Sequence, residues 1–188
     1  MKKTGLILLA LAMLLTAVAA FAESAATPAP TEAAAPMDSV IGAFSTVDID
    51  GNAVDSNIFA EGKLTLVNVW ATFCSPCIRE IPDLAKLDQE IEGFQVLGVL
   101  GDAGTKDAQD PNNVALGKEI AEKSGAAYKS VLPDDTINTM LMNYITAFPT
   151  SFFVDQQGQI VGQAIVGSMS YDDWKKVIEQ KMAEVEAA

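Results

Sequence analysis

Histidine is absent from the 188 residues, and cysteine occurs only twice, as Cys74 and Cys77. Without imidazole there is no Ser-His-Asp triad and no Cys-His dyad. Two cysteines and no histidine also cannot complete a structural zinc site within one chain, and no metal is expected. Positive charge is scarce: 12 Lys+Arg stand against 25 Asp+Glu, for a net charge of -13. Phosphate binding needs clustered cations, so nucleic acid is not an expected partner. There is no nicotinamide or flavin motif and no internal repeat. Hydrophobic residues nevertheless make up 49% of the chain, enough to build a core.

Lys2 and Lys3 precede an almost unbroken apolar run, Thr4 to Ala20, which ends in Ala20-Phe21-Ala22. A positive start, an apolar stretch and a small-x-small ending have the form of a signal peptide, with cleavage expected before Glu23. The mature chain would then have 166 residues and a charge of -15. Residues 4–22 could instead stay as a membrane anchor, since the run is near the lower limit for spanning a bilayer. Lipid attachment is excluded, because no cysteine follows the run. Residues 23–37 (ESAATPAPTEAAAPM) are Ala/Pro/Thr-rich and without apolar periodicity, the composition of a disordered linker. One domain is expected over residues 38–188.

Within that domain, Phe44 to Ile49 alternates weakly up to the turn residues Asp50-Gly51-Asn52, and Val54 and Ile58-Phe59 supply a return strand or short helix. Leu64 to Trp70 and Phe94 to Leu100 are near-continuous apolar runs, predicting strands buried on both faces. Pro76 to Ile91 has helical spacing, with Pro82 expected to kink it. Residues 101–113 are polar and turn-rich and predict a loop. Helices are predicted over 114–123 and 136–144, and strands over 151–154 and 159–166 around the turn at 155–158. Ser170 is placed as the N-cap of a last helix through Trp174, Val177, Ile178 and Met182. Strands alternating with helices predict an α/β layered sheet of mixed strand direction.

Cys74 and Cys77 stand where a buried strand hands over to a helix. Two cysteines so placed can close a small disulfide ring. The first lies where unpaired backbone N–H groups and the helix dipole favour an anion, which lowers a thiol pKa and makes it the attacking sulfur. The second, one turn further in, is placed to resolve a mixed disulfide. Pro76 stiffens the first turn. Other readings of the pair are an inert structural bridge, half of a metal site shared between chains, or two thiols without a role.

Asn68-Val69-Trp70-Ala71, the Cys74-Ser75-Pro76-Cys77 core, Glu80 with Pro82, Phe148-Pro149-Thr150 and Asp155 to Gly158 together resemble the thioredoxin superfamily. Within it the closest likeness is to the TlpA/ResA-like exported thiol-disulfide oxidoreductases, which include cytochrome c maturation proteins. The likeness runs over roughly residues 41–186. It implies a thioredoxin-like fold: a central mixed β-sheet flanked by helices, with an N-terminal β-hairpin and a central insertion at 101–113. It further implies a cis Pro149 beside the cysteines, and an extended client segment pairing near Phe148 and Thr150. Trp70 would pack beneath the loop, with Ser75 between the cysteines and Phe73 beside the sulfur. Glu80 would tune the thiols or their proton transfers; its alternative is an exposed acid favouring the helix dipole. Asn68 stands where many thioredoxins carry a buried Asp, so the proton acceptor for Cys77 would come from elsewhere. Phe73 replaces the family's usual Trp, and Ala147 a common Gly.

The function expected is reduction of disulfides in exported proteins, in an extracytoplasmic compartment. Cys74 would attack and Cys77 resolve, with no cofactor beyond the redox-active disulfide itself. Strong oxidants of the superfamily carry a His between the cysteines. Here Ser75-Pro76 stands instead, which predicts a low reduction potential. Electrons would come from a membrane thiol donor, the client would be an exported disulfide-containing protein, and the chain would act as a monomer. A thioredoxin-fold peroxidase is the nearest alternative, weakened by a close cysteine pair and a single arginine, Arg79. A non-catalytic binding module is the other. The acidic surface is read as a solubility feature rather than a docking site for basic partners.

Overall fold

A computed structural model describes residues 31–33 and 40–187. The expected signal segment lies outside the described residues, as does most of the linker. Ten strands and four helices follow in chain order: β1 (Thr31–Ala33), β2 (Ser45–Val47), β3 (Ala53–Asp55), β4 (Leu64–Trp70), α1 (Ser75–Glu90), β5 (Phe94–Leu100), β6 (Gly104–Thr105), β7 (Ala108–Gln109), α2 (Pro111–Lys123), β8 (Ser130–Val131), α3 (Asp135–Met140), β9 (Thr150–Asp155), β10 (Ala164–Val166) and α4 (Tyr171–Glu186). 3-10 segments occupy Ser56–Glu61, two turns, and Met142–Tyr144, one turn.

The main sheet has six strands in the order β1-β10-β9-β4-β5-β8. β4, β5 and β8 are parallel, while β9 runs against β4, β10 against β9 and β1 against β10. β4 is central, and every one of its residues is buried, as a strand covered on both faces requires. Leu64 and Leu66 meet Leu84 and Leu87 of α1 and Trp174 and Ile178 of α4 on one face. Val67 and Val69 meet Ile137 and Leu141 with Phe44, Val54 and Phe59 on the other. A third cluster, at the carboxyl end of β4 and β5, gathers Trp70, Leu100, Ile81 and both cysteines against Val114 and Ile120 of α2.

The two strands predicted from continuous apolar runs have the predicted limits, because burial on both faces leaves little else for such runs to do. The hairpin β2–β3 forms around Gly51, whose φ of 87° suits glycine. Asp48 holds it by accepting from the N–H groups of Asp50 and Asn52. Several features differ from expectation, among them the helix expected over 136–144, which breaks after Met140 into α3 and the 3-10 turn Met142–Tyr144. Thr31–Ala33, inside the segment read as disordered, pairs with Ala164–Val166; backbone pairing at an open sheet edge needs no apolar pattern. The 101–113 loop holds the small hairpin β6–β7, and α2 begins three residues early at Pro111, capped by Asp110. Strand 159–166 shrinks to Ala164–Val166, because Gly162 turns the chain at φ 80°. The two-residue β8 was not predicted; it is too short to carry a period.

α1 runs unbroken through Pro82. Pro82 is exposed, so its ring projects to solvent while Ile81, Leu84, Ala85 and Leu87 face the core.

Candidate active site

β4 ends at Trp70, and Ala71 to Cys74 form a tight turn closed by the Cys74 N–H donating to the Ala71 carbonyl at 3.0 Å. Cys74 is the N-cap of α1, and its Sγ accepts from the Cys77 N–H at 3.2 Å. A side chain at this position takes one of the orphan donors of the first helical turn. In place of the usual oxygen it is the sulfur of a disulfide, Cys74–Cys77, with Cα atoms 5.3 Å apart. Cys74 is 5% exposed and Cys77 0%, so an incoming group reaches the first sulfur and not the second. Ser75 and Pro76 occupy the first turn of α1; Ser75 is exposed and Pro76 half-buried.

Phe73 is the most exposed large apolar residue described, at 72%. Its ring stands edge-on to Phe148, centroids 5.9 Å apart. The Phe148–Pro149 peptide is cis. Phe148 packs against the same cluster that contains both cysteines, and a Cβ added at Gly101 would lie 3.0 Å from its ring. Glycine there lets the strand end approach the aromatic closely. Thr150 is turned inward rather than toward a client: it is buried, its hydroxyl donates to the Ala147 carbonyl at 2.7 Å, and its backbone lies between β4 and β10. Trp70 is buried beneath the turn, and its Nε1 finds no partner among the described residues.

Glu80 is not the exposed acid of the alternative reading. It is 2% exposed, one helical turn beyond Cys77. Its Oε1 accepts from Asn68 Nδ2 at 3.0 Å, and its Oε2 from the Met169 N–H at 3.2 Å and Trp174 Nε1 at 3.1 Å. Burial outweighs these three donors and pushes its pKa up to about 7. Asn68 Nδ2 also donates to Ser151 Oγ at 3.0 Å, while its Oδ1 has no partner among the described residues. An amide N–H toward Oε1 suits ionised Glu80. The flipped amide would offer its oxygen to a protonated one.

Trp174 and Met169 were not anticipated as partners of Glu80, nor Ser151 as a partner of Asn68, and no local pattern could have shown them. Met169 and Trp174 lie 89 and 94 residues from Glu80 along the chain, and Ser151 lies 83 from Asn68; they meet only through the fold. Asp102 and Thr72 form a second unanticipated pair. Asp102 accepts from the Thr72 N–H at 3.0 and 3.1 Å and from its hydroxyl at 2.5 Å.

A redox-active-type cysteine pair at a helix start, beside a cis-proline and over a buried carboxyl, on a mixed sheet with helices on both faces, defines the thioredoxin-like class. The chain belongs to the AhpC/TSA family, whose model matches residues 37–163. It is 27% identical to the thiol-disulfide oxidoreductase ResA of Halalkalibacterium halodurans over 63% of this chain and 62% of that protein. The chain thus spans just under two thirds of that relative. It is 28% identical to ResA of Geobacillus kaustophilus over 95% of this chain and 98% of that protein. Among solved structures, the thioredoxin domain of a thiol-disulfide oxidoreductase from Bacteroides vulgatus superposes with a TM-score of 0.59 at 29% identity, covering 78% of this chain and 98% of that one. The fold is thioredoxin-like.

Proposed function

We propose that the protein is an extracytoplasmic thiol-disulfide oxidoreductase that reduces disulfides of exported proteins. The observation that carries this reading is the disulfide at the start of α1, with its accessible sulfur at the N-cap and its partner sealed beneath. In the reduced protein, the Cys77 N–H and the helix dipole stabilise a Cys74 thiolate. That thiolate attacks a client disulfide and expels one client thiolate, leaving a mixed disulfide. Cys77 then loses its proton and attacks Cys74 Sγ. The second client sulfur leaves as thiolate, and the Cys74–Cys77 bridge is restored. Glu80, buried one turn from Cys77 and half-ionised near neutral pH, is the assigned acceptor of the Cys77 proton.

Phe148 beside the cis-proline provides the apolar edge against which a client segment lies, with Phe73 next to it. Ser75-Pro76 supplies no charge to hold the thiolate, so the potential falls at the reducing end of the class. A membrane thiol partner returns the electrons, no cofactor takes part, and the chain works as a monomer. The N-terminal segment exports it or anchors it. Names of relatives, ResA among them, support this reading. A peroxidase is less well supported: both cysteines lie in one bridge, and Arg79 is exposed.

Alkylation of the reduced protein across pH, followed by mass mapping, tests the assignment. Modification should fall on Cys74, with a midpoint well below the ordinary thiol value of about 8.5, and Cys77 should be spared. A Cys77→Ala variant should accumulate a mixed disulfide with its client in intact cells. An unperturbed Cys74 would remove the catalytic assignment.

A further inference from the structure

Asp102 lies just past the end of β5, in the segment whose composition predicts a loop. The ladder between β4 and β5 continues one step, with the Gly101 N–H donating to the Trp70 carbonyl at 2.8 Å. This sets Asp102 beside Thr72, on which its carboxylate takes both the backbone N–H and the hydroxyl. Asp102 is itself braced from the far side. Asn113 Nδ2 donates to the Asp102 carbonyl at 2.7 Å, and the Asp110 N–H donates to the Ala103 carbonyl at 2.8 Å. Asp110 caps α2 by accepting from the N–H groups of Asn112 and Asn113. A continuous set of hydrogen bonds thus runs from the first turn of α2, through Asp102, to the turn that carries Cys74.

We propose that Asp102 is a positioning residue for Cys74: pinned to Thr72, its carboxylate fixes the turn and holds a negative charge close to the attacking sulfur. The inference rests on the exchange reading above. Thr72 precedes Cys74 by two residues, no more than about 7 Å of chain. Held on Thr72, the anion opposes the thiolate that the helix start favours. The opposition disfavours the reduced protein relative to the disulfide and makes the pair more reducing. The insertion that separates β5 from β8 therefore acts on the chemistry through this hydrogen-bonded set.

Other titratable groups on the elements packed here are Arg79 and Glu80 of α1, Tyr128 beyond α2 and the capping Asp110. Lys106 pairs with Asp107, and Lys118 with Asp50. None of these is altered by the variants that follow.

Asp102→Asn keeps an acceptor for the Thr72 N–H and removes the charge. The full-length variant is equilibrated with glutathione: protein disulfide plus two glutathione thiols gives protein dithiol plus one glutathione disulfide. The Cys74 alkylation midpoint should drop by about half to one pH unit, and the equilibrium measured above that midpoint should move about threefold to tenfold toward dithiol. Thr72→Val, which loosens the carboxylate without removing it, should move both in the same direction by less, and carries the test if the first variant does not fold. An Asp102→Asn protein whose midpoint and equilibrium match wild type overturns the proposal, even if its Tm falls, since bracing alone would lower only Tm. Failure of wild-type Cys74 to exchange with glutathione at all would instead overturn the oxidoreductase reading.

Discussion

Glu80 shows how a single side chain acquires a property its type does not have. In an unfolded chain its carboxyl titrates near 4.5, and in the fold near 7, because burial disfavours the anion more than Asn68, Met169 and Trp174 favour it. Between those two pH values the native state holds a proton that the unfolded state has lost. The contribution of Glu80 to stability is therefore fullest below about pH 4.5 and falls as pH rises through about 7, by roughly 3 kcal/mol, then levels off. Glu80→Gln removes the ionisation. Its amide N–H can donate to Asn68 Oδ1, which has no partner among the described residues. Denaturant melts of the oxidised proteins from pH 4 to 9 should show the wild type losing that increment and the variant not. Parallel pH curves would mean that Glu80 is already ionised in the fold. Asp88, also raised by burial, is common to both proteins and cancels in the difference. Glu80 was legible as a candidate only through the family resemblance. Its burial was not, because an acid on a helix face reads as solvated until the facing elements are known.

Among the elements, α1 and α2 divide the work. α1 carries both cysteines and Glu80 on its inward face, and its start supplies the N–H that holds Cys74 Sγ. The cysteines and Pro76 announce that start, so the motif and the helix were readable together. α2 was readable only from Val114 onward, since its first turn, Pro111-Asn112-Asn113, has the composition of a loop. Asp110 makes that turn helical by capping it. Asp110→Ala should cost about 1 kcal/mol, a fall in Tm of about 2–4 °C for a domain of this size. It should also loosen Asn113 from the Asp102 carbonyl. A thermal melt monitored by circular dichroism measures the first effect. An unchanged Tm would mean that the first turn of α2 contributes no stability.

At the scale of the whole molecule, one sheet brings together segments separated by about seventy residues. β9 enters between β4 and β10, and its start places the cis-proline and Phe148 beside the cysteine turn. Among the described residues no helix is long and apolar enough to cross a membrane. Expression in a bacterial host with intact-mass measurement of the exported fraction should give a chain beginning at Glu23, of 166 residues. A full-length species confined to membranes would identify residues 4–22 as an anchor.

Local chemistry was enough to determine the long buried strands, the cysteine pair at a helix start, the order of the larger strands and helices and the absence of histidine-dependent catalysis. Each depends on neighbours in the chain: apolar runs, capping and turn residues, or plain composition. The tertiary structure alone decided that Glu80 is buried against Trp174 and Met169 and that Thr150 turns inward. It also decided that Asp102 grips the turn before Cys74. Those outcomes depend on which atoms meet across the sheet, and on how much water is left around a charge once they do.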